Sequence, residues 1–209
     1  MREALERVWA LLGHVPVTVT VVVGVSWLFL ASGLDGGQVD HSVVTLLNPL
    51  WYVTSMFVHA DAAHFQGNVT LIVPFGVVLT LFTSNRHVLL VMVVPHVLGN
   101  ILRVVVAPAF AYGASGAAFA LVAATLVRSA GYAMDNASTE SLGTVLVGLL
   151  TPFLLFFLLI AIVAGASPIA HFIHFFAFLF GGATEAMYVL GEHDDGEDER
   201  RVPDRLGLG

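Results

Sequence analysis

The chain contains no cysteine and no lysine, and only 11% of its 209 residues are charged. The missing thiols exclude disulfides, thiol catalysis and Cys-ligated zinc. An ordinary soluble domain carries about 25% charged residues, so the shortage of charge excludes that class. The formal net charge is -7, with much of the acid in the stretch from Glu192 to Asp204. An acidic tail argues against nucleic acid and anionic lipid as partners. What the chain has in quantity is apolar length, with 57% hydrophobic residues and a mean hydropathy of +0.89. This is the composition of an integral membrane protein.

The apolar runs predict six spans. Val15 to Leu34 is longer than the roughly 7–15-residue core of a cleaved signal peptide and close to the roughly 20 residues a span needs. Its many Val and Thr residues do not prevent a helix, because in lipid the backbone must satisfy itself. Asp35 to Ala63 reads as a long connection lying partly in the headgroups, since Trp51 and Tyr52 favour the interface. His64 to Phe82 and His87 to Val106 are the second and third spans. The fourth, Ser115 to about Val127, is short, and Arg128 to Leu142 reads as a polar loop. Leu142 to Ala164 is the fifth, and Pro168 to Leu190 the sixth.

Three parts follow: residues 1–14 as a short cytoplasmic segment, 15–190 as the six-span core, and 191–209 as an acidic, disordered tail. Six spans place both termini on one side. With that side cytoplasmic, Arg2, Arg7, Arg86, Arg128, Arg200, Arg201 and Arg205 fall inside and only Arg103 outside, as the distribution of basic residues across membranes requires. His64, Ser115 and His174 then share the outer half of the membrane.

Polar side chains in apolar spans are costly and mark function, and three clusters occur here. In Gly113-Ala-Ser-Gly116, Ser115 opens a helix, whose first backbone N–H groups lack partners and face an incoming anion. A serine needs an adjacent base to become a nucleophile. His174 is the candidate, because Ala177 and Gly181 lie on its helical stripe and small residues let membrane helices approach closely. His171, one turn earlier, competes with it. His64 and Asn68, four residues apart, share a helix face and supply donors suited to an oxyanion. No third acid is at hand: Glu185 lies eleven residues beyond His174, about 16 Å along a helix. The expectation is a Ser-His dyad. Each cluster alone has an ordinary packing or capping explanation; their combination is what points to hydrolysis.

The ordered set of motifs resembles the rhomboid intramembrane serine proteases. The likeness rests on Thr54-Ser-Met-Phe57 with His59, His64-Phe-Gln-Gly-Asn68, Pro74-Phe-Gly76, Gly113-Ala-Ser-Gly116, and Ala170-His-Phe-Ile-His174 with Ala177 and Gly181. It covers roughly residues 15–190. The resemblance implies an all-α, six-transmembrane-helix bundle with a membrane-embedded first loop. It also implies Ser115 as nucleophile, His174 as base, and His64 and Asn68 as oxyanion donors. The family's small residues at +3 and +7 favour His174 over His171. The implied substrates are transmembrane proteins cut within the bilayer, without metal or cofactor, and the Phe-rich fifth span corresponds to the family's gate. Three positions depart from the family pattern: Trp51-Tyr52 for Trp-Arg, Thr80 for a Glu, and Ala177 for a Gly.

Two other readings use the same residues. A non-catalytic relative would bind client membrane helices without cutting them. A metal-dependent protein would gather His59, His64, His171 and His174 on zinc, though no HExxH accompanies them.

Overall fold

The computed structural model describes residues 16–34, 47–106, 112–136 and 168–194. Their regular structure is helical, with no strand among them. Helix α1 spans Val17–Ala31, α2 Trp51–Thr54, α3 Ala62–Phe82, α4 Asn85–Val106, α5 Ser115–Asn136 and α6 Pro168–Asp194, and a single 3₁₀ turn, Ser55–Phe57, follows α2. By length and apolarity, Ala62–Phe82, Asn85–Val106 and Ile173–Gly191 are each sufficient to cross a membrane, while Val17–Ala31 and Ser115–Gly131 are shorter apolar helices. The expected fifth span with its gate, residues 1–14 and residues 195–209 lie outside the described residues. The chain is an all-α membrane protein.

Helix α5 is the axis of the bundle. Every side chain from Ala117 to Ala124 is buried, because α3, α4 and α6 all pack on it. Around it lie Ile72 and Leu79 of α3 and Val88, Val91 and Met92 of α4, with Val19 and Val22 of α1 closing the core. The outward side chains are also apolar, Leu28, Leu90, Val105 and Leu179 among them. A surface facing hydrocarbon gains nothing from polarity, so sequence hydropathy does not separate inside from outside here.

Short polar contacts set the helix positions. Thr125 Oγ1 donates to the Phe75 carbonyl at 3.1 Å, joining α5 to α3. A Cβ at Gly76 would meet Val19 Cγ2 at 2.5 Å, so α1 sits where only glycine fits on α3. Asn85 takes hold of the start of α1: its side-chain oxygen accepts the Thr18 N–H at 3.1 Å, and its carbonyl accepts Thr18 Oγ1–H at 2.8 Å. Pro74 and Pro95 stand inside α3 and α4, which membrane helices tolerate where neighbours take up the freed backbone groups.

The fourth expected span is a short apolar helix, but its helix continues into the stretch expected to be a polar loop. Helix α5 does not stop near Val127 but runs through Arg128 to Asn136. The reason lies at Arg128, whose charge is neutralised within the bundle. Its Nε–H donates to Glu185 Oε1 at 2.6 Å, and His87 Nε2–H donates to Glu185 Oε2 at 2.5 Å. Glu185 is fully buried. Tyr188 completes the cluster, with its ring 4.0 Å from that of His87 and under the Arg128 guanidinium at 5.3 Å. A basic residue held this way does not have to end the helix. The sixth span ends close to Leu190 as expected, but its helix continues through Asp194, so the first residues of the expected disordered tail are helical. A glycine inside a helix costs only about 1 kcal/mol, so Gly191 does not stop it.

Candidate active site

The site lies at the opposite end of the bundle from the Arg128–Glu185 cluster. It is assembled from the loop before α3, the first two turns of α3 and α6, and the start of α5.

Asp61 begins α3. Its Oδ1 accepts the His64 N–H at 2.7 Å, satisfying one of the amides a helix start leaves open. The Ala60 N–H donates to His64 Nδ1 at 3.5 Å. A neutral imidazole has one donor and one acceptor, so the His64 proton resides on Nε2. That edge faces the turn before α5: a Cβ at Gly113 would stand 2.8 Å from His64 Nε2 and 2.5 Å from its Cε1. The same position is 3.5 Å from Asn68 Nδ2. Asn68 is 5% exposed, and its Nδ2 is buried with no hydrogen-bond partner among the described residues. An orphaned buried donor costs on the order of 1–3 kcal/mol, so it marks a place where an acceptor is due.

Gly113 has φ +97°. Only glycine takes that conformation freely, and only glycine leaves room for the His64 ring. The first loop holds the turn from below. The Gly113 N–H donates to the Ser55 carbonyl at 3.0 Å, and the Ala114 N–H to His59 Nε2 at 3.4 Å. This narrows the sequence expectation: two of the amides ahead of Ser115 are already engaged by the loop. His59 Nδ1–H donates to the Phe57 carbonyl at 3.2 Å, which fixes the tautomer that leaves Nε2 an acceptor. Burial pushes His59 down to about 4, against an upward pull from the Phe57 carbonyl and with His64 adding to the depression. The ring is therefore a neutral acceptor throughout the physiological range.

Ser115 is the first residue of α5. Its Oγ lies 2.9 Å from His174 Nε2. Phe119, one turn further along α5, stacks on the His174 ring at 4.7 Å and 29°, so ring orientation as well as position is fixed. Small residues allow the close approach. A Cβ at Gly116 would stand 3.3 Å from His96 Nδ1 and 3.8 Å from Ala177 Cβ, and one at Gly181 would collide with the backbone of Ala120. The structure thus brings Ser115 and His174 together, with His64 and Asn68 gathered on the adjacent Gly113. The His171 side chain lies outside the described residues. Among the described residues, no three His, Asp or Glu side chains are grouped as a metal site would need. Glu185 is engaged by His87 and Arg128, far from His174.

Sequence reasoning missed two features. One is the trio of Ser55, His96 and Asn100 beneath the turn; the available signal was a His and an Asn four residues apart in an apolar run. The other is the pairing of Glu185 with Arg128, which was signalled by two opposite charges at the edges of apolar segments.

No curated protein and no solved structure matches the chain. A family model described as the Rhomboid domain matches residues 48–190. That stretch includes α2 to α5, α6 as far as Leu190, and every residue of the site above, and on this match the chain belongs to the rhomboid family.

Proposed function

We propose that the protein is an intramembrane serine endopeptidase acting on transmembrane segments of other membrane proteins. The observation that carries this reading is the 2.9 Å contact between Ser115 Oγ and His174 Nε2, within hydrogen-bonding reach for a nucleophile and its base. Ser115 Oγ–H gives its proton to His174 Nε2, and the oxygen attacks the peptide carbonyl. The oxyanion accepts from His64 Nε2–H, Asn68 Nδ2–H and the Ser115 N–H, each donor contributing a few kcal/mol of the order seen in such holes. His174 then protonates the leaving amine. Water hydrolyses the acyl-enzyme, with His174 as base a second time. The tautomer set by Ala60 suits His64 to this role, and Asn68 has a buried donor to offer.

Both termini are assigned to the cytoplasm, which leaves the Ser115 end facing outward and the Arg86 and Arg128 end inward. A substrate helix must unwind to expose a carbonyl, so helix-weakening residues are expected near the cut. The test is incubation of purified protein with a transmembrane substrate, alongside labelling by a fluorophosphonate. Cleavage and labelling are expected to disappear in Ser115→Ala and in His174→Ala but not in His171→Ala. Equal cleavage by wild type and Ser115→Ala would refute the assignment. Client-helix binding with no labelling of Ser115 would instead identify a non-catalytic relative.

A further inference from the structure

Below the Gly113 turn, three buried polar side chains meet between the first loop and α4. Ser55, at the start of the 3₁₀ turn, is fully buried, and His96 and Asn100 of α4 are 3% and 1% exposed. Ser55 Oγ lies 3.1 Å from His96 Nε2. Asn100 Nδ2 lies 3.1 Å from the same nitrogen and 3.4 Å from Ser55 Oγ. An amide nitrogen only donates, so His96 Nε2 is an acceptor and the ring carries its proton on Nδ1. The Ser55 hydroxyl then donates to Nε2 as well. Buried polar groups among apolar helices cost free energy unless each is satisfied, and these three largely satisfy one another.

The trio is connected to the reacting groups through the backbone. The Ser55 carbonyl accepts the N–H of Gly113, the residue whose left-handed conformation makes room for His64 and Asn68. On the other side, His96 packs under Gly116, with Nδ1 and Cα at 3.3 and 3.5 Å from a Cβ placed there. One imidazole therefore supports both sides of Ser115, two residues before it and one after.

We propose that His96 is a positioning residue for the reaction. By accepting from Ser55 and Asn100, it holds the Ser55 carbonyl where it locks Gly113, and so fixes the distance between Ser115 and the His64–Asn68 donors. His96 itself touches neither substrate nor the reacting atoms. The inference rests on the proteolytic reading.

The experiment compares His96→Ala, Ser55→Ala and His96→Gln with wild type. In the last, the side-chain carbonyl can accept both donors in place of Nε2. Each variant is assayed for kcat and KM on a transmembrane substrate, for fluorophosphonate labelling of Ser115, and for hydrogen exchange at the Gly113 amide. Misplacement of a reacting group by about 1 Å costs on the order of a hundredfold in rate. A fall in kcat of tenfold to a hundredfold is therefore expected in His96→Ala and Ser55→Ala, with KM within about twofold. Gly113 exchange should accelerate in both, and His96→Gln should recover most of the kcat. Unchanged kcat and Gly113 exchange in His96→Ala, with wild type labelled and active, would overturn this inference alone. Failure of His96→Gln to recover kcat at restored stability would also overturn it. A wild-type chain that neither labels nor cleaves would overturn the proteolytic reading and this inference with it.

Discussion

Gly181 lies so close to Ala120 that a Cβ at 181 would stand 2.5 Å from the Ala120 Cα and 2.6 Å from its carbonyl oxygen. The clash is with backbone, which cannot swing aside as a flexible side chain could. This contact sets the spacing of α5 and α6 two turns from the pairing of Ser115 with His174.

Gly181→Ala should therefore push the two helices apart and lengthen the Ser115–His174 contact. Overpacking of this kind costs about 1–3 kcal/mol, and the resulting displacement should lower kcat on the order of a hundredfold. Unfolding in mixed micelles and turnover of a transmembrane substrate measure the two effects separately.

Gly113→Ala tests the turn. The φ of +97° disfavours any side chain, at a cost of about 1–3 kcal/mol, and the added methyl would meet the His64 ring at 2.5 Å. Cleavage should fall more than stability does, because His64 must leave its position first. A variant that loses stability in proportion to activity would mean that the turn is structural only.

The sequence made these glycines suspect but gave only part of the site. Ser115, His174, His64 and Asn68 were readable because polar side chains stand out in apolar runs, and because spacings of three, four and seven place them on helix faces. The supports were harder to read. The bond from Gly113 to Ser55 joins residues far apart in the chain, and backbone groups carry no side-chain signature. The end of α5 was misjudged for a related reason. Arg128 looks like the start of a loop until its partner is known, and Glu185 belongs to a different helix. Local composition registers the charge but not its neutralisation.

Glu185→Ala should be among the most destabilising single changes, because it leaves the part-buried Arg128 and the buried His87 without their carboxylate. Breaking a buried pair this way costs about 3–5 kcal/mol. Replacing Arg128, Glu185 and His87 together by Met, Leu and Phe should restore much of the loss, since a well-packed apolar set is often as stable. Chemical unfolding of the single and triple variants measures the difference.

His59 predicts an acid-sensitive fold. In the folded chain it stays neutral to about pH 4, whereas the unfolded chain takes up the proton near 6.5. Between those values the unfolded state binds more protons, so stability rises with pH there. The contribution is complete above pH 6.5 and is lost as pH falls toward 4. The gap corresponds to on the order of 3 kcal/mol. His59→Gln, which keeps an acceptor for the Ala114 N–H but does not titrate, should flatten the decline. Melting temperature against pH for both proteins tests this, and parallel curves would count against it.

The grip of Asn85 on Thr18 has a structural consequence. Two residues beyond Asn85 comes His87, which holds Glu185, and Glu185 lies on the helix that carries His174. The start of α1 and the helix bearing the base are thus both anchored on one short corner of the chain, Asn85 to His87.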